Sequence, residues 1–320
     1  MSAGRWIIHI GAPKTGSTAI QRCLSDNRAA LLERGVLYPD VSLRGWGHHD
    51  LAFLLDGGYP AWATPQPRPL AALRADLQAA VAQHAAPCIV LSSENFFIYP
   101  RPAELRALLR AAGLQQGDRL SIVCYLRRQD EAQMSWYNQT VKAQGYAGSF
   151  ESSLRLHHGL WDYAARLRPW LDEFGNDGLQ IRLYEPAGQA DVCGDFLGLL
   201  GVASAGLQRP ADRVNERINR DILELQRVVN RLPMKVTSKR RHHKQLIALT
   251  AAAAAQGIFD DRPFLTPPAA RQLMQSYEPS NAWVARTFFG RETLFEASPP
   301  DAAAAPTARR GWTLAKIRNA

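Results

Sequence analysis

Trp6-Ile7-Ile8-His9-Ile10-Gly11-Ala12-Pro13-Lys14-Thr15-Gly16-Ser17-Thr18 reads as a strand, a glycine-bracketed loop and the first residues of a helix. The apolar run has strand length. After the loop, Ile20, Cys23, Leu24, Leu31 and Leu32 return at helical spacing. A glycine loop between a strand and a helix is the setting of a phosphate loop, in which backbone N–H groups and the positive helix end cradle anionic oxygens.

The same alternation continues down the chain. Cys88 to Ser92, Leu120 to Leu126 and Leu179 to Tyr184 are further strand candidates, and Met134, Tyr137 and Val141 share one face of a helix after the third. Strands alternating with amphipathic helices predict an α/β chain with a central parallel sheet, and the sequence turns helical after Pro210. There Ile218, Ile222, Leu225, Val229 and Leu232 form a stripe, with Arg217, Arg220, Arg227 and Arg231 off it as a solvated charged face. Gly45 to Pro69, rich in Gly, Pro, His and Trp, reads as a long irregular insert of the kind that covers sites. Residues 298–320 read as a flexible Ala/Pro-rich basic tail behind a domain of residues 1–297.

Composition narrows the function classes. With 320 residues, 46% of them hydrophobic and 21% charged, disorder and simple repeats are excluded. No apolar run reaches the ~18 residues of a membrane span, and no secretory signal is read, so the expectation is a cytoplasmic protein. Cys23, Cys88, Cys124 and Cys193 are widely spaced without a C-x-x-C pair, which predicts reduced thiols, no disulfide and no zinc. The net charge of +9 favours anionic partners: nucleic acid, phosphorylated cofactors and acidic polysaccharide all qualify. Lys239-Arg240-Arg241-His242-His243-Lys244 is the sharpest basic cluster.

The loop differs from that of nucleoside triphosphatases. Their pattern, G-x-x-x-x-G-K-[ST], would place lysine at position 17, whereas Ser17 stands there and the lysine is Lys14. The neighbouring strands run into Ser92-Ser93-Glu94 and Arg127-Arg128 instead of an acidic magnesium ligand. A metal-free phosphoryl or sulfuryl site fits these residues better.

Pro13-Lys14-Thr15-Gly16-Ser17-Thr18 closely resembles the 5′-phosphosulfate loop of sulfotransferases that use 3′-phosphoadenosine 5′-phosphosulfate. That family carries a second motif, an Arg at a strand end and a Ser eight residues on, which together grip the 3′-phosphate; Arg127 and Ser135 stand at the matching positions. The resemblance covers Arg5 to Tyr184, and more loosely Arg213-Val214-Asn215-Glu216 and Tyr277-Glu278-Pro279-Ser280-Asn281. It implies a P-loop-like three-layer fold with helical C-terminal additions, 3′-phosphoadenosine 5′-phosphosulfate as co-substrate, and a hydroxyl acceptor of the sugar or polysaccharide-precursor class.

The residue chemistry fits that resemblance. Guanidinium forms charge-assisted, bidentate bonds to phosphate, which suits Arg127, and Arg128 points elsewhere. Lys14 is placed to meet charge on the leaving phosphate oxygen. In the family, His or Glu takes the acceptor's proton near the end of the preceding strand, which here makes Glu94 the first candidate base. The adjacent His48 and His49 are rivals, because imidazole titrates near neutral pH, with His49 also read as an acceptor contact. Two other classes stay open: a small-molecule or nucleotide kinase needing ATP and magnesium, and a nucleic-acid-binding protein using Arg217 to Lys244.

Overall fold

Strands rich in Ile, Val and Leu without polar alternation belong in a sheet covered on both faces, and the computed structural model has that arrangement. It describes residues 4–185, 191–209, 219–233 and 262–296, with positions 235, 238 and 245. The loose 213–216 similarity, Arg217, Ile218, the 239–244 basic cluster and the 298–320 tail lie outside the described residues. The chain forms two compact units, one drawn from Met1–Arg127, Tyr163–Asp212 and Val284–Gly290, the other from Arg128–Asp162, Arg213–Trp283 and Arg291–Ala320.

The first unit is built on a five-stranded, wholly parallel sheet in the order β2-β3-β1-β4-β5. The strands are β1 (Arg5–His9), β2 (Val36–Leu37), β3 (Cys88–Ser92), β4 (Arg119–Leu126) and β5 (Leu179–Leu183). In register, Ile7 faces Val90 on one side and Ser121 on the other. Both pleat faces are buried: Ile7, Val90, Val123 and Tyr125 point one way, Trp6, Ile8, Leu91 and Cys124 the other. Each large side chain so buried contributes about 1.5–3 kcal/mol relative to exposure.

The first of these faces is covered by α1 (Ser17–Asp26) and α10 (Val192–Leu200), through Ile20, Cys23, Leu24, Phe196 and Leu197. The helix expected from Ile20 through Leu32 is two helices, α1 and α2 (Arg28–Glu33). It breaks at Asn27, whose amide donates to the Cys23 carbonyl at 2.7 Å and to the Gln208 carbonyl at 2.8 Å. Further helices are α4 (Leu70–His84), α5 (Asn95–Ile98), α6 (Pro102–Ala111) and α9 (Tyr163–Phe174); α9 packs on β5, α6 on α9 and α4 on α6.

The reading of Gly45 to Pro69 as irregular needs correction. It contains α3 (His49–Leu55), whose Leu51, Ala52 and Phe53 are buried. Hydropathy hid this helix because its start is polar yet buried: Asp50 is held by Arg44 Nε at 2.7 Å and by the Ser42 hydroxyl at 3.2 Å.

The second unit is helical among its described residues. Helix α7 (Gln129–Gln139) runs into a π-helical turn (Thr140–Gln144), followed by α8 (Phe150–Leu156), α11 (Arg220–Val229), α12 (Pro267–Ser276) and α13 (Glu278–Val284). As expected, Met134, Tyr137 and Val141 share a face, packed with Phe150, Ile222 and Leu223. The stripe expected along α11 is rotated: Ile222, Leu223, Gln226 and Asn230 are buried, while Leu232 is 51% exposed. Asn230 explains this, donating to the carbonyls of Val141 (2.7 Å) and Tyr146 (2.9 Å) in and after the π turn. The arginines are not simply solvated either. Arg220 lies 4.5 Å from the Phe264 ring, and Arg227 pairs with Glu224 at 2.7 Å.

Candidate active site

All strands being parallel, the carboxyl ends of β1, β3 and β4 meet on one edge, where ligands bind in open α/β sheets. That edge gathers the glycine loop, Glu94 and Arg127. The loop continues the β1 ladder: Ile10 N–H donates to the Val123 carbonyl at 2.9 Å and Ala12 N–H to the Tyr125 carbonyl at 3.1 Å. Thr15 closes it internally, its hydroxyl donating to the Ala12 carbonyl at 2.6 Å. The Thr15 side chain is therefore committed to the loop. Pro13 is buried, Thr18 exposed, and Lys14 and Gly16 half-buried.

Two loop residues adopt the left-handed region, Lys14 at φ 68° and Gly16 at φ 83°. Gly16 precedes α1 as its N-cap, with no side-chain cap and no acidic residue in the first turn, so the positive helix end is left for an anion. The Ser17 hydroxyl, buried beneath it, has no partner among the described residues. A Cβ at Gly16 would also lie 3.0 Å from Val192 and 3.1 Å from Tyr184. We expect Gly16→Ala to lower stability by about 1–3 kcal/mol in urea unfolding, from backbone strain and this crowding together; an unchanged midpoint would contradict the loop geometry.

Glu94 sits two residues past β3, at the start of α5. Its Oε2 accepts from Gln21 Nε2 of α1 at 2.8 Å and lies 3.8 Å from His49 Nδ1. His49 Nδ1 is also 2.8 Å from Ser93 Oγ and 3.0 Å from Asn95 Nδ2. The side chains remain 26% (Glu94) and 13% (His49) exposed. Burial opposes the Glu94 charge, but His49, the backbone N–H of Glu94, the Gln21 amide and His9 outweigh it and hold the carboxyl below its ordinary range.

His48 is corrected from rival base to structural residue. It is wholly buried, with Nε2 3.0 Å from the Pro39 carbonyl and Nδ1 accepting from Ser92 N–H at 3.2 Å. Burial pushes its imidazole down to about 4. Neither ring nitrogen is left to take a proton from an acceptor.

Arg127 follows β4, and its Nη1 donates to the Lys14 carbonyl at 3.3 Å, joining the strand-end arginine to the glycine loop. Its guanidinium lies 5.7 Å from the Tyr184 ring, and its carbonyl accepts from the Tyr163 hydroxyl at 2.5 Å. Arg128 does point elsewhere, pairing with Asp130 at 3.0 Å. Ser135 belongs to the second unit, half-buried on α7. That helix is fastened by the Tyr277–Asn281 segment: Gln129 and Asn281 exchange amide hydrogen bonds of 2.6 and 3.2 Å, and Gln133 donates to the Tyr277 hydroxyl at 3.2 Å.

Three polar residues of this edge were not read from the sequence as functional. Gln21 fell on the buried face of a helix, Ser93 passed as a strand end, and His9 lay inside an apolar strand. Only His9 carried a signal, as the one polar residue within Trp6 to Ile10. Among the described residues, no group of three or more His, Cys, Asp or Glu side chains is arranged to hold a metal, and no helix is long and apolar enough to cross a membrane.

No protein-family profile matches the chain, and no curated protein sequence matches it. Among solved structures, the chain is similar to a sulfotransferase from Alicyclobacillus acidocaldarius, at 18% sequence identity and a TM-score of 0.42, over 78% of this chain and 97% of that one.

Proposed function

We propose that the protein transfers a sulfonate group from 3′-phosphoadenosine 5′-phosphosulfate to a hydroxyl acceptor, without a metal ion. The observation that carries this reading is the hydrogen bond from Arg127 to the Lys14 carbonyl, which brings a second cationic group to the phosphate loop. A nucleotide with phosphate at both its 5′ and 3′ ends needs two such places, and the sequence motif assigns the second to Arg127 and Ser135. The loop N–H groups, the uncapped α1 terminus and the Ser17 hydroxyl form the first.

In the reaction, the acceptor oxygen attacks sulfur, the bond from sulfur to the bridging phosphate oxygen breaks, and the sulfonate ends on the acceptor. Lys14 meets the negative charge left on the 5′-phosphate. Glu94 takes the hydroxyl proton, with His49 beside it. For the acceptor, a sugar is supported by half-buried Tyr59, Trp62 and Tyr99 around Phe53, at centroid distances of 5.5–6.1 Å, on the helix that begins with His49. Such rings offer apolar faces with polar edges.

The test is a transfer assay with labelled phosphosulfate nucleotide, chelator and a panel of sugar and simple alcohol acceptors. Label on an acceptor together with release of 3′-phosphoadenosine 5′-phosphate is the expected result. Phosphoryl transfer from ATP, dependent on magnesium, would replace this reading with a kinase.

A pH profile reports on the base. A base must be deprotonated to work, so activity falls as pH drops through its pKa. Because the Glu94 carboxyl is held below its usual range, the acid limb is expected below that range, with a plateau through neutral pH. An acid limb above the ordinary carboxylate range would contradict Glu94 as the base.

A further inference from the structure

His9 ends β1 directly beneath the glycine loop and is wholly buried, its ring against Tyr125 (5.8 Å between centroids) and Phe196 (5.4 Å). Nδ1 is 2.7 Å from the Ser92 hydroxyl at the end of β3. Its other nitrogen, Nε2, is buried without a partner among the described residues, and so is the hydroxyl of Ser17, the first residue of α1. Both atoms lie against Gly11. A Cβ built on Gly11 would lie 2.6 Å from His9 Nε2 and 2.8 Å from Ser17 Oγ. Glycine is thus required at position 11 by the close approach of both polar groups.

An unpaired buried donor or acceptor costs about 1–3 kcal/mol, so each one calls for an explanation. Two of them, one at the start of α1 and one below the loop, flank Gly11 without bonding to each other. We propose that His9 is a positioning residue of the phosphate loop: Nδ1 accepts from the Ser92 hydroxyl, and on anion binding Nε2–H, which does not bond Ser17 Oγ in this structure, donates to that oxygen and turns the Ser17 proton toward the anion in the loop. The imidazole stays out of contact with the reacting atoms and acts through Ser17. This deepens the sulfonate-transfer reading and rests on the glycine loop being its anion site.

The experiment measures binding of 3′-phosphoadenosine 5′-phosphate and of adenosine 3′-phosphate to the full-length wild type and to His9→Asn, His9→Gln, Ser17→Ala and the His9→Asn/Ser17→Ala double variant. Asn keeps a polar atom near the Ser92 side but loses Nε2, whereas Gln reaches the Nε2 position with a donor. His9→Asn should weaken the bisphosphate roughly 10-fold, the scale of one lost hydrogen bond, and leave adenosine 3′-phosphate unchanged because that ligand lacks the 5′-phosphate. His9→Gln should restore most of the affinity, and the double variant should be no weaker than Ser17→Ala alone. Additive losses, equal losses on both nucleotides, or no loss would overturn the proposal, since a merely structural histidine affects both ligands alike.

Long-range proton–nitrogen NMR on the wild type reads the tautomer with no substitution, so a poorly folding variant does not stop the test. An Nε2–H tautomer is expected, and an Nδ1–H tautomer would overturn it. Failure of the functional reading looks different: a wild type that binds inorganic sulfate, weakened by His9→Asn, yet does not prefer the bisphosphate, removes the nucleotide assignment and keeps the role of His9.

Discussion

Glu94→Gln is expected to lower the single-turnover rate of sulfonate transfer by about 10²- to 10⁴-fold, the range for loss of a general base, with nucleotide affinity almost unchanged. The substitution keeps the shape of the side chain and an oxygen to accept from Gln21, which lies 2.8 Å from the present carboxylate. It removes the site where the acceptor's proton would settle. Lys14, Arg127 and the loop are untouched, so binding should persist. His49→Asn is the companion measurement: it takes the imidazole from beside the carboxylate, 3.8 Å away, and should change acceptor binding more than the chemical step. A near-normal Glu94→Gln beside an inactive His49→Asn would transfer the base to α3.

The second large effect is expected at Lys14. Lys14→Ala should reduce turnover by about 10²- to 10³-fold, by comparison with loss of one donor to a developing negative charge, and leave the unfolding midpoint nearly in place. The backbone there is already left-handed, at φ 68°, and alanine suffers the same steric opposition as lysine. Lys14→Gly separates the two contributions. Glycine relieves the backbone strain yet supplies no ammonium, so that variant should be at least as stable as the alanine variant and equally slow. Loss of folding in both, or normal turnover in either, would reduce Lys14 to a loop residue.

The sheet was readable from local pattern because β1, β3 and the second half of β4 are apolar runs and β5 alternates. Cys88–Ser92 was read with the bounds it has, and β1 was displaced by one residue. The edge strand Val36–Leu37 escaped, since two residues cannot establish a period. Elsewhere the pattern failed where a buried polar residue bonds to a group outside its own helix. Asn27 ends α1 by bonding to a loop some 180 residues on; Asp50 and His48 let the insert fold into α3; Asn230 turns the buried face of α11 by reaching the π turn. The partners of Asn27 and Asn230 are remote in sequence, Arg44 and Pro39, which bond to Asp50 and His48, precede the helix, and hydrophobic periodicity carries no record of either.

The site divides along the same line. Glycine spacing and the strand-to-helix setting were enough to place Gly11 to Thr18 between β1 and α1. Glu94 and Arg127 were legible as residues at strand ends, where a parallel sheet collects its ligand-binding groups. The links among them were not legible. Gln21 to Glu94, Arg127 to the Lys14 carbonyl and His9 to Ser92 all join residues more than 70 positions apart, and they follow from strand order alone.

The most direct test of sulfonate transfer as the activity is calorimetry with 3′-phosphoadenosine 5′-phosphate and with ADP, each in chelator and at matched salt. The two ligands differ in the 3′-phosphate assigned to Arg127 and Ser135, and losing one partner of a buried charge-assisted contact costs about 2–5 kcal/mol. The account predicts that the bisphosphate binds tens- to thousands-fold more tightly, with no change when magnesium is added. Equal affinity for the two nucleotides, or binding that appears only with magnesium, would contradict it.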